Sequence, residues 1–124
     1  MAKAYAGIVG AVLLVVGIVG FLTKGMMGMS FYPAHNIVHV ATGVLGLAAA
    51  LAAGGAYANT FAKVFGVVYT LVAVLGFVGI ADLGPIQLGL NMPYSIIHIA
   101  VGVLGLAAGF AGAGAAKAKA AGAA

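Results

Sequence analysis

The chain has 124 residues, 65% of them hydrophobic and 5% charged, and its net charge of +4 sets five lysines against the single carboxylate of Asp82. A soluble domain carries roughly 25% charged residues, and this chain lacks the polar groups to cover its surface in water, so it reads as an integral membrane protein. With no arginine and no basic cluster it has no means to track nucleic acid, and with no cysteine it is excluded from disulfides, thiolate metal sites and thiol catalysis.

Four apolar runs follow one another, at about 4–22, 33–53, 60–80 and 93–112. Each has roughly the 20 residues that cross a ~30 Å hydrocarbon core. None alternates with period two, which leaves helices as the spanning element. The first run is longer than the core of a secretory signal and no small-x-small cleavage pattern follows it, so it is expected to be a retained helix. A connection of about ten residues holds Lys24 and Met26-Met27-Gly28-Met29. Pro33 opens the second run, where a missing N–H is harmless, and Gly54-Gly55 close it. A six-residue join leads to the third run, and about twelve residues including Asp82 lead to Pro93 and the fourth. Gly112-Ala113-Gly114 mark its expected end, and 113–124 read as a flexible tail.

Short joins make sequential helices antiparallel, which predicts an all-α, up-down-up-down four-helix bundle. Lys3, Lys63, Lys117 and Lys119 fall on one side of the membrane, Lys24 and Asp82 on the other. The positive-inside rule then predicts both termini in the cytoplasm and the two longer loops outside. Lysine-bearing edges suit anionic lipid headgroups.

The chain also repeats. Residues 33–49 return as 92–108 at an offset of 59, which sets His39 on His98, Gly43 on Gly102 and Gly46 on Gly105. The first and third helices match at an offset of 56: Tyr5 with Phe61, Ile8 with Val64, Gly10 with Gly66, Gly20 with Gly76 and Phe21 with Phe77. The unit is a two-helix hairpin duplicated in tandem, with a pseudo-two-fold axis along the membrane normal. His39 and His98 then lie at equal depth, roughly 8–9 Å below the outer helix ends at 1.5 Å per residue. His39, Gly43, Gly46 and Ala50 share one helix face, as do His98, Gly102, Gly105 and Gly109. Small residues mark the side where membrane helices pack closely, so the histidines are expected on the packed face, where an ionisable group is least costly.

Asn36-x-x-His39, the Gly43-Val44-Leu45-Gly46-Leu47 run, Val68–Phe77 and the second histidine helix resemble an uncharacterised bacterial family of small four-helix membrane proteins. The likeness spans roughly residues 5–110. It implies the four-helix fold and the bacterial cytoplasmic membrane, and no activity comes with it.

What the histidine pair does has three readings. Held as neutral groups, the histidines can clasp the helices through hydrogen bonds, with Asn36 meeting His98, Ser95 meeting His39, and Thr42 beside them. Alternatively they are axial ligands to haem b or a chlorin, with Gly17, Gly20, Ala73 and Gly76 making room for the macrocycle. A third reading starts from Met26, Met27 and Met29 with His35 nearby, since thioether and imidazole are soft ligands that suit copper(I). His35 and His39 stand one turn apart, but two ligands without carboxylate or cysteine make a weak zinc site. The duplication gives His35 only Tyr94 as its counterpart, which assigns it to the interface. With one carboxylate and no charged residue at mid-membrane, neither hydrolysis nor ion transport has a relay. The sequence therefore predicts a non-enzymatic membrane protein, a structural or accessory subunit, with Gly7, Gly10, Gly17, Gly20, Gly76 and Gly79 as packing surfaces either within the bundle or towards other copies. It would pack against copies of itself or a larger membrane complex, within the lipid bilayer.

Overall fold

The computed structural model describes residues 1–123, with side chains through Ala111. Its elements run α1 (Ala2–Leu22), β1 (Gly25–Met26), β2 (Met29–Ser30), α2 (Pro33–Leu51), a 3-10 turn (Ala52–Gly55), α3 (Ala58–Phe77) and α4 (Met92–Ala123). All four helices are long and apolar enough to cross a membrane, over Ala2–Leu22, Pro33–Gly55, Ala58–Phe77 and Met92–Ala111. The fold is an all-α four-helix bundle, and its lipid-facing side carries large exposed hydrophobics such as Ile8, Val12, Val15 and Leu71.

Pro33 stands at the start of α2, where its fixed φ suits the first turn. The α2–α3 turn reverses through Ala53, Gly54 and Gly55, all at positive φ, so the glycines serve there as backbone permits rather than as packing residues. α3 stops at Phe77, three residues short of the sequence expectation, because Gly79 turns left-handed at φ +90° and Ile80 N–H closes back on the Leu75 carbonyl. α4 passes Gly112–Gly114 without a break in the helix and continues to Ala123. Alanine supplies the strongest helix propensity and outweighs isolated glycines that each cost about 1 kcal/mol. The side chains of Lys117 and Lys119 lie outside the described residues.

Each hairpin is zipped by glycine. A methyl on Gly10 would meet the Leu47 amide nitrogen at 2.7 Å, and one on Gly66 would meet the Leu106 amide nitrogen at 2.6 Å. Gly46 lies on the Ala6 carbonyl and Gly105 on the Ala62 carbonyl; Gly20 faces the Asn36 amide and Gly76 the Ser95 hydroxyl. Every one of these pairs maps onto the other at offsets 56 and 59, so the repeat is visible as two equivalent seams, α1–α2 and α3–α4.

Between hairpins the packing is aromatic. Tyr5 lies against Gly105 and donates its hydroxyl to the Val101 carbonyl at 2.8 Å, while its counterpart Phe61 lies against Gly46. Phe61, Phe65 and Tyr69 stack in sequence up the axis. At the opposite end the two long connections close the bundle. The first folds into a two-stranded hairpin with Met26 paired to Met29, and the second is pinned by a Leu83–Ile86 bridge. Met29, Leu88, Leu90 and Tyr94 bury together beneath them.

Candidate functional site

Directly under that cap, at the axis between hairpins, the structure gathers three histidines. His35 and His39 come from α2 and His98 from α4, and all three are buried. Their candidate ligand nitrogens all lie within 4.8 Å of one another. The ring of His35 is 4.3 Å from His39 and 5.7 Å from His98, and His39 and His98 are 6.5 Å apart. Tyr94 and Tyr69 flank the group, 5.6 and 5.2 Å from the His98 ring.

The cluster corrects the expectation for His35. Expected to stand apart from the pair, it is buried as the third member of the group and sits closest to His39. Its spacing of one turn from His39 was the available signal. The duplication masks it, because a site of three histidines from two repeats cannot be symmetric about a two-fold axis.

His35 is also the best oriented of the three. Its Nδ1 lies 2.8 Å from the Leu88 carbonyl, which can only accept, so Nδ1 carries the hydrogen and Nε2 presents a lone pair. The Leu88 and Gly89 N–H groups in turn donate to Asp82 Oδ1, both at 2.9 Å. The chain's one carboxylate thus shapes the loop that aims His35, the kind of outer support that metal-ligating histidines have. Tyr94, which replaces His35 in the second repeat, donates to the Ser30 carbonyl at 2.8 Å. Asn91 reaches Gly28 O at 2.9 Å, and Tyr32 covers Gly89. Each outer loop is therefore latched by the other hairpin.

Both ring nitrogens of His39 and Nδ1 of His98 are buried with no protein partner. An unpaired buried polar group costs about 1–3 kcal/mol, and a water-poor membrane interior gives little relief. The expected clasp does not provide partners. Ser95 Oγ donates to the Asn91 carbonyl, Thr42 Oγ1 donates to the Val38 carbonyl, and Asn36 is turned into the α1 seam against Gly20.

The macrocycle arrangement is likewise not what the residues make. Gly17 is closed by Val40, Gly20 by Asn36 and Gly76 by Ser95, and Ala73 is fully buried. His35 stands beside both would-be axial ligands, where a flat tetrapyrrole would need open space. A single ion is closer in scale: tetrahedral zinc–imidazole bonds of about 2.0–2.1 Å place ligand atoms roughly 3.4 Å apart, and here they lie within 4.8 Å of one another.

Two cavities flank the cluster, and they are repeat-related. One, of about 390 Å³, opens between α1 and α4 beside Val9, Val12, Leu13 and Val16, and reaches His39 and His98. The other, of about 190 Å³, lies between α2 and α3 beside Phe65, Val68, Tyr69 and Val72, and reaches His35 and His98. The α1 and α3 residues pair at offset 56, and the smaller volume follows from Phe65 and Tyr69 replacing Val9 and Leu13. Met26, Met27, Met29 and Phe31 cap the larger cavity; Leu83, Ile86 and Leu88 cap the smaller.

No curated protein and no solved structure matches this chain. The pattern of one protein family does, over residues 3–111, which takes in both loops, every residue of the histidine cluster and nearly all of the four apolar spans. The chain belongs to that family, described as Domain of unknown function (DUF4383).

Proposed function

We propose that this protein is a non-enzymatic metal-binding protein of the membrane, with His35, His39 and His98 holding one transition-metal ion. The observation that carries the proposal is that His39 and His98 keep buried ring nitrogens without a partner inside a cluster, shared with His35, of donors drawn from two hairpins. Imidazole suits zinc, copper, iron and nickel, and three histidines leave a fourth position for a further ligand. Binding rather than turnover is favoured because the one carboxylate, Asp82, is committed to two backbone N–H groups and does not face the cluster. An accessory-subunit role would draw on glycine-rich outer faces, whereas Gly10, Gly17, Gly20, Gly66 and Gly76 all lie against the partner helix of their own hairpin. The histidine centre has the stronger support.

The test is metal analysis of the protein purified in detergent and titrated with divalent and monovalent ions. One ion per chain is expected in the wild type, with at least a hundredfold weaker retention in His39→Gln and in His98→Gln at unchanged helicity. Absence of stoichiometric binding by any ion ends the proposal.

Orientation follows from charge. Lys3 and Lys63 lie at the end that holds the α2–α3 turn, with the Lys3 stem against Gly55, and Lys24 and Asp82 lie at the histidine end. By the positive-inside rule the termini are cytoplasmic and the histidine end faces outward across a bacterial inner membrane. A topology reporter fused after Ala124 that is active only on the outer side would reverse this placement.

A further inference from the structure

We infer that the ion is monovalent copper and that it reaches the histidines through the methionine hairpin β1–β2, an inference that rests on the three-histidine reading. Charge selects the oxidation state. All three ligands are neutral imidazoles, and among the described residues no carboxylate joins them. The cost of burying an ion in a low-dielectric medium grows with the square of its charge. A divalent ion would carry two uncompensated charges into an apolar interior, a cuprous ion only one.

The route is drawn by sulfur. Met26, Met27 and Met29 line the cavity whose inner wall is His39 and His98. Thioethers and imidazoles are the ligands that suit copper(I). The bland alternative is that methionine simply fills an irregular cap, and the repeat supplies a control for it. The equivalent cavity, at the same depth in the same fold, is capped by Leu83, Ile86 and Leu88 without any sulfur. Capping therefore does not require methionine, and the sulfur is confined to the larger cavity.

The three side chains also form a gradient. Met27 is 73% exposed, Met26 51% and Met29 9%, so the thioethers step from the outer surface to the buried layer just above the histidines. Met27 holds the tip at φ +55°, followed by Gly28 at +80°. A two-residue hairpin turn of that shape favours Asn-Gly, and an unbranched apolar residue there is strained by about 1–2 kcal/mol. The hairpin tolerates a worse turn residue and gains a thioether at its most accessible point. Transfer inward is ligand exchange on cuprous ion, thioether for imidazole, with no electron moved and no proton required.

The experiment is anaerobic loading of the detergent-purified full chain from a chromophoric copper(I) chelator, followed by stopped-flow, with a matched zinc(II) chelator in parallel. The wild type is expected to take one copper(I) and to leave zinc with its chelator. The triple variant Met26→Leu, Met27→Leu, Met29→Leu should take the same one equivalent at least tenfold more slowly. Met27→Leu alone, at an exposed tip where folding is not at stake, should slow loading by a smaller factor. Unchanged rates in both variants overturn the methionine route, and zinc retained in preference to copper(I) overturns the choice of ion. If neither ion binds the wild type, it is the three-histidine reading that fails.

Discussion

Asp82 Oδ1 accepts the N–H groups of Leu88 and Gly89, and the carbonyl of that same Leu88 fixes the His35 ring. A side chain that touches no histidine thus sets the direction of one ligand lone pair. Asp82→Ala removes two charge-assisted hydrogen bonds, each worth about 1.5–3 kcal/mol when well shielded. The loop is partly exposed, which brings the expected loss of stability down to about 1–2 kcal/mol. The loss of ligand orientation should weaken metal binding by about 10–100-fold. Asp82→Asn keeps an acceptor oxygen and should fall between the two. Competitive metal titration beside thermal unfolding separates the effects, and an Asp82→Ala protein with wild-type affinity would show that His35 is held in place without this chain of bonds.

At the scale of helices and loops, the glycines divide into those that touch backbone and those that do not. A methyl on Gly43 would sit 2.8 Å from the Gly10 carbonyl oxygen, a backbone atom that cannot swing aside. Gly43→Ala must part the α1–α2 seam and should destabilise the protein by about 2 kcal/mol or more. Gly7→Ala meets only the Ala50 methyl, at 3.6 Å, and should be neutral or slightly stabilising through helix propensity. Unfolding of both variants in one detergent tests the contrast, which disappears if the seam is looser than these approaches imply. The hairpin between α1 and α2 offers a different trade. Met27→Asn relieves the left-handed turn residue and should raise stability by a few tenths to about 1 kcal/mol while slowing copper(I) uptake. Equal stability of the two proteins would mean the turn carries no strain.

Most of this element-level order was legible in the sequence. Length and hydropathy gave four helices, Pro33 marked the start of α2, and the 56- and 59-residue offsets anticipated the matched seams. The outer loops were not legible in the same way. Their architecture depends on which distant carbonyl a side chain reaches, as with Tyr94 to Ser30 and His35 to Leu88, and no periodicity encodes such a choice. Asn36 and Ser95 read from the sequence as polar residues on the histidine helices. Their partners are not legible there, since a rotation of a fraction of a turn decides between the axis and the seam. The symmetry of the repeat pairs His35 with Tyr94, and the site departs from that symmetry.

Taken as a whole, the molecule is two tightly zipped hairpins joined by a looser seam, and the histidine site and both cavities lie in that seam. Leu13 and Tyr69 occupy equivalent places beside the two cavities, of about 390 and 190 Å³. The difference in volume makes the methionine side the wider approach to His39 and His98. Leu13→Tyr copies the second repeat into the first. Because Tyr69 already shows that the backbone accepts a ring at this position, the variant should fold, at a cost of about 1–3 kcal/mol for the added volume. The ring would fill the cavity that leads from Met29 to the histidines. Metal stoichiometry should then stay at one per chain while the loading rate falls by an order of magnitude or more. The reciprocal Phe65→Val, which copies Val9 into the second repeat, widens the smaller cavity, which has no methionine at its mouth, and should leave the rate near wild type. A similar slowing in both variants would point to general disturbance of the seam, whereas slowing in Leu13→Tyr alone ties access to one side of a nearly symmetric bundle.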